Sequence, residues 1–317
     1  MTLLYYDPHF LNHETGGHPE CAQRLEQVVG RLERGGQLDR CERPEWSPAT
    51  DEQVTAVHTA DHLAEVRRLA AAGGGRAEVD TVVSPQSADV ALLAAGAACD
   101  AVQRVTNGEA RRALSLSRPP GHHALPHGAM GFCLFGNVGV AARHAIDRLG
   151  VERVLVVDWD VHHGNGTQEM FYTDPRVGFF SMHRWPFYPG TGEASETGAG
   201  DGLGFTCNLP VQWGTSRDRC TSWFRRELED FADKLRPQLV IVSAGFDAHR
   251  DDPVGSLGWE VEDFATLTQV VIDVAATHSD GRLVSVLEGG YHPPMLAECV
   301  ATHLDEMLER DADEGLG

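Results

Sequence analysis

Short apolar runs that alternate with longer amphipathic stretches are the feature that most constrains the fold of this chain. The runs are rich in β-branched residues and have the length of strands buried on both faces of a parallel sheet. They cover residues 3–6, 113–117, 154–157, 177–182, 239–244 and 283–287. Apolar residues recur at helical spacing between them, in residues 19–34, 87–106, 138–149, 216–235 and 261–278. This alternation predicts an α/β fold, an open parallel sheet with helices on both faces.

No composition shift divides the chain. It has no Pro/Ser-rich linker, repeat or low-complexity block, so we expect a single domain over residues 1–317. An acidic tail at about 306–317 is expected to fray. The glycine-rich segment 198–204 lacks a following Lys-Ser/Thr and does not open a helix, which favours a turn over a phosphate-binding loop.

Bulk composition excludes several classes of protein. The chain has no apolar run of about 18 residues and no basic N-terminal region before an apolar stretch, so we expect a cytoplasmic protein without a membrane span. Its seven cysteines are scattered without a C-x-x-C pair, which argues against disulfides or a cysteine zinc site. The net charge of −21 disfavours direct nucleic-acid binding and would attract cationic partners, although a solvated acidic surface explains it equally well.

Polar residues follow four of the predicted strands, at the positions where each strand ends. Ligand sites in open α/β sheets lie beyond the carboxyl ends of the strands, so these residues are candidates for one shared site. The four segments are 118–123, 158–167, 245–247 and 288–291. They contain aspartates, histidines and a tyrosine, which predicts an active site at this edge of the sheet.

Three of these residues have the chemistry of a metal site. Asp160 and His162 are two apart in extended chain, so their side chains point the same way, and Asp247 follows a different strand. Three protein ligands with one open position are typical of catalytic zinc. The oxygen-rich set would also permit Fe(II) or Mn(II).

The other polar residues suit proton transfer. His122 and His123 follow two prolines and a glycine in a stiff turn, and imidazoles with pKa values near neutrality are effective acid and base catalysts. Tyr291 follows Gly289 and Gly290, which would let the backbone lie close to a ligand. Alternatively, His122 and His123 are ordinary surface residues and Tyr291 is a packed tyrosine without a role in chemistry.

Taken together, these motifs resemble the ordered signature blocks of the histone deacetylase family, closest to its class II branch and the bacterial amidohydrolase relatives. The resemblance extends from about residue 5 to residue 304. The matching blocks are 13–20, 118–124, 131–133, 158–167, 243–253 and 288–291. It implies an arginase/deacetylase-like fold and a zinc-dependent carbon-nitrogen hydrolase.

The resemblance also implies a role for each residue. Zinc ligands would be Asp160, His162 and Asp247. The catalytic group would comprise His122 and His123 as the histidine pair, Asp158 and Asn165 behind them, and Tyr291 as the carbonyl clamp. Substrate would contact Gly131, Phe132, Tyr188, Val254 and Gly289, with Phe132 and Tyr188 walling an acyl-lysine tunnel.

Family members also bind K⁺ or Na⁺. The resemblance places one such ion on the Asp158 and Ser181 side chains, with backbone carbonyls from Asp160, His162 and Met182. A second ion would lie near Phe171, Asp174 and Val177.

The implied activity is removal of acyl groups from lysine in a peptide or protein, with His123 as general base. An acetylpolyamine amidohydrolase is the nearest alternative, and a two-manganese ureohydrolase or a silent acyl-lysine binding module are others. Resemblance to the eukaryotic polyamine deacetylases places their acidic gatekeeper at Val254, and an apolar side chain there favours peptides over polyamines. The sequence leaves oligomerisation open.

Overall fold

A seven-stranded parallel sheet forms the centre of the molecule. The computed structural model describes the chain from Met1 to Glu314, with side chains as far as Glu309. The sheet order is β1-β4-β9-β8-β5-β6-β7, and β2 and β3 form a separate small antiparallel hairpin. The strands are β1 (Thr2–Tyr5), β2 (Gly75–Arg76), β3 (Val82–Val83), β4 (Arg112–Ser115), β5 (Val154–Asp158), β6 (Val177–Arg184), β7 (Thr206–Val211), β8 (Leu239–Ala244) and β9 (Leu283–Leu287).

Helices cover the sheet on both faces, which confirms the predicted fold class. They are α1 (Gln23–Gly35), α2 (Asp51–Thr55), α3 (Ala60–Ala71), α4 (Ser87–Thr106), α5 (Asn137–Arg148), α6 (Asn165–Phe171), α7 (Arg217–Leu235), α8 (Val261–His278) and α9 (Pro293–Glu314). In one group α1 packs on α9, α9 on α8 and α8 on α7, whereas in the other α4 packs on α5. Strands β4, β5, β8 and β9 are buried along their whole length between these layers, as expected for the largely apolar strands of a parallel sheet.

The largest differences from the sequence prediction lie at one edge of the sheet. Strand β6 runs to Arg184 because its last two residues pair with β7, His183 opposite Pro210 and Arg184 opposite Val211. Strand β7 is not among the apolar runs predicted as strands, since it is an edge strand that is only partly buried and contains a proline.

Two helix boundaries also differ. Helix α1 begins at Gln23 and not at residue 19, and the segment before it places Glu20 in a buried ion pair with Arg24. Helix α9 continues through the acidic segment to Glu314, with Met307 and Leu308 buried, so the segment expected to fray is helical as far as the structure describes it. Residues 315–317 of that predicted tail lie outside the described residues. None of the helices in the described part of the chain has both the length and the apolarity to cross a membrane.

Candidate active site

Four neighbouring strands deliver the polar residues to one place. Strands β4, β9, β8 and β5 are adjacent in the sheet and all parallel, so their carboxyl ends lie side by side. The residues after them include His122 and His123, Tyr291, Asp247, and Asp160 with His162. The sheet order is therefore what gathers segments that are distant in sequence.

The three candidate metal ligands converge at this edge. One ligand atom each from Asp160, His162 and Asp247 lies within 4.8 Å of the other two. His162 Nδ1 lies 3.0 Å from Asp160 Oδ1 and 3.1 Å from Asp247 Oδ2. All three side chains are buried, so water contributes little to balancing their charges.

The electrostatics of this cluster fit a bound cation. Asp247 Oδ2 is buried and makes no well-oriented hydrogen bond with the described residues, although His162 Nδ1 lies 3.1 Å away. Burial and the charge of Asp160 raise the pKa of Asp247 to about 7, which reflects the cost of placing two carboxylates together without a positive charge. A divalent ion would remove that cost. Gly289 leaves the space open, since a Cβ there would lie 2.3 Å from Asp247 Oδ2 and 2.5 Å from Asp160 Oδ2.

His122 is held by a carboxylate. Its Nδ1 lies 3.0 Å from Asp158 Oδ2, and its Nε2 lies 3.7 Å from Asp160 Oδ1. Burial alone would lower the pKa of His122, but Asp160 and Asp158 outweigh it and raise the pKa to about 10. The two carboxylates therefore favour the protonated form of His122.

His123 has a neutral partner instead. Its Nδ1 lies 2.7 Å from Asn165 Oδ1, and because the amide oxygen only accepts, the proton of the neutral ring sits on Nδ1. The ring centroids of His122 and His123 are 4.0 Å apart. Burial, followed by the charges of His122 and His162, lowers the pKa of His123 well below its ordinary value. The surroundings thus favour the cationic form of His122 and the neutral form of His123, whose Nε2 is free to accept a proton.

Glu288 supports the histidine pair from the next strand, a role that sequence reasoning did not assign. Its carboxylate accepts hydrogen bonds from the backbone N–H groups of Gly121 (2.6 Å) and His122 (3.2 Å), and from Ser243 Oγ (3.1 Å). Burial raises its pKa to about 7. Its position directly after a fully buried strand, in the polar segment 288–291, was the available signal.

Tyr291 stands beside these groups with its backbone fixed. Its N–H donates to Asp252 Oδ2 at 2.6 Å, and the guanidinium of Arg24 lies 4.9 Å from its ring centroid. Arg24 also donates to the backbone carbonyls of Glu288 and Gly290 on either side of Gly289. Burial holds the pKa of Tyr291 well above its usual value, so the hydroxyl is a hydrogen-bond donor across the physiological pH range.

A cavity of about 150 Å³ opens onto this machinery. His123, His162 and Tyr291 line it, together with four residues expected to contact substrate: Gly131, Phe132, Tyr188 and Val254. Gly131 has a φ of +54°, and a Cβ there would lie 2.4 Å from His123 Cδ2. This position therefore requires glycine.

Two further residues line the cavity that the sequence analysis missed. Phe187 stacks on the His162 imidazole with ring centroids 5.2 Å apart and an interplanar angle of 17°. Asp80 comes from the β2–β3 hairpin, whose two-residue strands are too short to give a periodic signal. Because Asp80 is a carboxylate, the polarity of the cavity does not follow from Val254 alone.

The structure also shows the surroundings of the residues proposed to bind monovalent cations. Asp158 and Ser181 are opposite each other in the β5–β6 register, and Ser181 Oγ lies 2.9 Å from His183 Nδ1. At the second location, the Asp174 carboxylate is already paired with Arg143 (2.9 Å) and Arg176 (2.7 Å). Asp174 is therefore not a free side-chain ligand.

Comparison with known proteins agrees with this geometry. The family model of the histone deacetylase domain matches residues 18–307. The chain is 40% identical to a histone deacetylase-like amidohydrolase of Pseudomonas aeruginosa, over 92% of this chain and 77% of that protein. It is 38% identical to the human polyamine deacetylase HDAC10, over 96% of this chain and 48% of that protein.

A solved structure resembles the whole molecule. The HDA15 HD domain superposes with a TM-score of 0.91 at 34% identity, covering 97% of this chain and 89% of that one. The match thus includes the sheet and the strand ends that carry the aspartates and histidines. With a family model spanning most of the sequence and relatives at this identity, the chain is a hydrolase of the histone deacetylase family.

Proposed function

We propose that this protein is a zinc-dependent hydrolase of the amide bond in N-ε-acyl-lysine, acting on peptides or proteins. The observation that carries the proposal is the grouping of a possible three-ligand metal cluster, the His123 imidazole and the Tyr291 side chain at one narrow cavity. Phe132, Phe187 and Val254 give the cavity apolar walls suited to the four methylene groups of a lysine side chain.

Asp160, His162 and Asp247 would hold the zinc, because their ligand atoms converge and three protein ligands are typical of catalytic zinc, whose remaining position is taken by water or substrate. A bound Zn²⁺ supplies Lewis acidity, which polarises an acyl carbonyl and lowers the pKa of water. Asp158 and Ser181 would hold a K⁺ or Na⁺ ion behind the site.

Different residues of the protein carry out the successive proton transfers. His123 accepts the proton of the attacking water at Nε2, and Asn165 holds the ring in the tautomer that leaves this nitrogen free. Tyr291 donates its hydroxyl hydrogen to the carbonyl oxygen as negative charge develops there. A protonated histidine of the pair then delivers a proton to the departing nitrogen, which leaves a carboxylic acid and a free amine.

Hydrolysis of acetylpolyamines is the second candidate function. Two observations favour it: relatives from human and mouse are named polyamine deacetylases, and the cavity contains a carboxylate at Asp80. Val254 argues for peptides, since it offers no charge to a second ammonium group.

A substrate panel tests the proposal. Enzyme reconstituted with one equivalent of zinc would be assayed on acyl-lysine tripeptides, N8-acetylspermidine and acetylputrescine in the same buffer. We expect the tripeptides to have the highest kcat/KM. A tenfold advantage for either polyamine would transfer the assignment to the second candidate, and no amide hydrolysis in the panel would refute both.

A further inference from the structure

Tyr291 lies in a stretch of chain whose own sequence does little to fix its conformation. It follows Gly289 and Gly290 in the loop between β9 and α9, and glycine restricts the backbone less than any other residue. Gly290 has a φ of +127°. The Tyr291 hydroxyl can stabilise an oxyanion only if it lies within hydrogen-bond distance of the place where that oxygen forms. The backbone of Tyr291 therefore has to be held by groups outside this loop.

The buried carboxylate of Asp252 binds the Tyr291 backbone directly. Oδ2 of Asp252 accepts a hydrogen bond from the Tyr291 N–H at 2.6 Å. Oδ1 accepts hydrogen bonds from the N–H groups of Val254 and Gly255, each at 2.9 Å. Val254 and Tyr291 both line the cavity. One carboxylate thus connects a residue of the cavity wall to the tyrosine.

The loop that carries Asp252 is itself anchored next to the candidate metal ligands. The Ser256 N–H donates to the Asp247 carbonyl at 2.6 Å, which closes the loop. Gly255 packs so tightly that a Cβ there would lie 2.5 Å from the same carbonyl oxygen. Because Asp247 is a candidate metal ligand, the contact with Asp252 fixes the Tyr291 backbone relative to the metal site.

We propose that Asp252 is a positioning residue for catalysis, which holds Tyr291 where its hydroxyl can stabilise the oxyanion. This inference rests on the proposed amide hydrolysis. Among the described residues that line the cavity Asp252 is absent, so it acts through the Tyr291 backbone and not through contact with substrate. A carboxylate suits this position, because both of its oxygens accept hydrogen bonds and neither donates one.

Asp252→Asn distinguishes the two oxygens of the carboxylate. Asparagine has one accepting oxygen and one donating NH2 group. If its oxygen keeps the hydrogen bonds from Val254 and Gly255, its NH2 group faces the Tyr291 N–H, and two donors cannot share the present spacing of 2.6 Å. Tyr291 then has to shift, while the wall at Val254 stays in place.

The test is a double-mutant cycle of wild type, Asp252→Asn, Tyr291→Phe and the double variant, each loaded with zinc and assayed on the best substrate of the panel. We expect Asp252→Asn to lower kcat by about tenfold, with KM changed by less than about threefold and zinc content unchanged. In the Tyr291→Phe background it should lower kcat by less than about twofold, because the hydroxyl that Asp252 positions is already absent. Asp251→Asn is the matched control, since it makes the same change at the exposed neighbouring residue and should leave kcat within about twofold.

Three results would overturn the role of Asp252. They are equal losses of kcat in both backgrounds, turnover of Asp252→Asn equal to that of the control, and normal turnover of Tyr291→Phe. If Asp252→Asn does not fold, Asp252→Glu enters the same cycle, because it keeps the charge and displaces the carboxylate by one methylene group. Its effect on kcat should likewise vanish in the Tyr291→Phe background, and an equal loss there would contradict the proposal.

Failure of the proposed function would look different. If wild type hydrolyses a substrate of the panel but the effects of the two substitutions multiply, only the inference about Asp252 is wrong. If zinc-loaded wild type hydrolyses neither the acyl-lysine tripeptides nor the acetylpolyamines, the proposed function fails, and the role of Asp252 fails with it.

Discussion

Replacing Glu20 by glutamine should destabilise the protein by removing the anion from a buried charge cluster. Glu20 is fully buried and accepts hydrogen bonds from Arg118 Nε at 2.5 Å, Arg118 Nη2 at 2.8 Å and Arg24 Nη1 at 3.1 Å. His13 Nε2 lies 3.5 Å away. Glutamine keeps the shape but leaves two buried guanidinium groups without a counter-charge.

The magnitude follows from the pKa of Glu20. Burial would raise this pKa, but Arg118, His13 and Arg24 outweigh it and lower the pKa from 4.5 to about 2. A depression of that size corresponds to about 3 kcal/mol of stability at neutral pH, within the usual range for breaking a buried ion pair. Because the folded-state pKa is the lower one, this stability is fully present above pH 4.5. It is lost as the pH falls from 4.5 towards 2.

Urea unfolding followed by circular dichroism measures the effect. At pH 7, Glu20→Gln should lower the free energy of unfolding by about 3 kcal/mol, and the gap to wild type should narrow steadily below pH 4.5. Glu26→Gln is the matched control, because Glu26 is exposed on α1 and should change stability by less than about 0.5 kcal/mol. A Glu20→Gln protein within 1 kcal/mol of wild type at pH 7 would refute the reasoning.

Three predictions concern the site itself. Asp247→Ala should reduce zinc content from about one ion per chain to near zero by mass spectrometry, because two protein ligands hold the ion poorly; full occupancy would remove Asp247 from the ligand set. His123→Ala should lower kcat by roughly 10²–10⁴-fold while zinc stays bound, and near-normal turnover would exclude His123 as the base. Tyr291→Phe should lower kcat by roughly 10²–10³-fold with circular dichroism unchanged, and a loss below fivefold would show that the hydroxyl does not stabilise the oxyanion.

Central strands and helices could be predicted because their sequences have strong periodicity. Residues 239–244 and 283–287 match β8 and β9 to the residue, and 87–106 matches α4. Strand β7 was missed because an edge strand needs apolar residues on only part of its surface. The length of β6 depends on its pairing with β7. The sequence of a strand does not show which strand it will pair with.

The same contrast holds for the site. Asp160 and His162 could be paired by their spacing, and Asp247 by its place after a strand, but their mutual distances required the sheet order. Phe187 and Asp80 could not be found, since stacking on His162 and entry of a hairpin into the cavity depend on contacts between distant segments. The contact between Glu20 and Arg118 could not be predicted for the same reason, because the two residues are distant in sequence.

The strand order also affects how the protein folds. Asp160 follows β5 and Asp247 follows β8, and the chain between them builds β6, β7 and α7 before β8 returns to pair with β5. The loop-closure entropy of that return must be offset before the two carboxylates meet, so a metal ion held by all three candidate ligands would bind only after β8 has paired with β5. Metal capture during refolding should therefore be a late event that reports assembly of the central sheet.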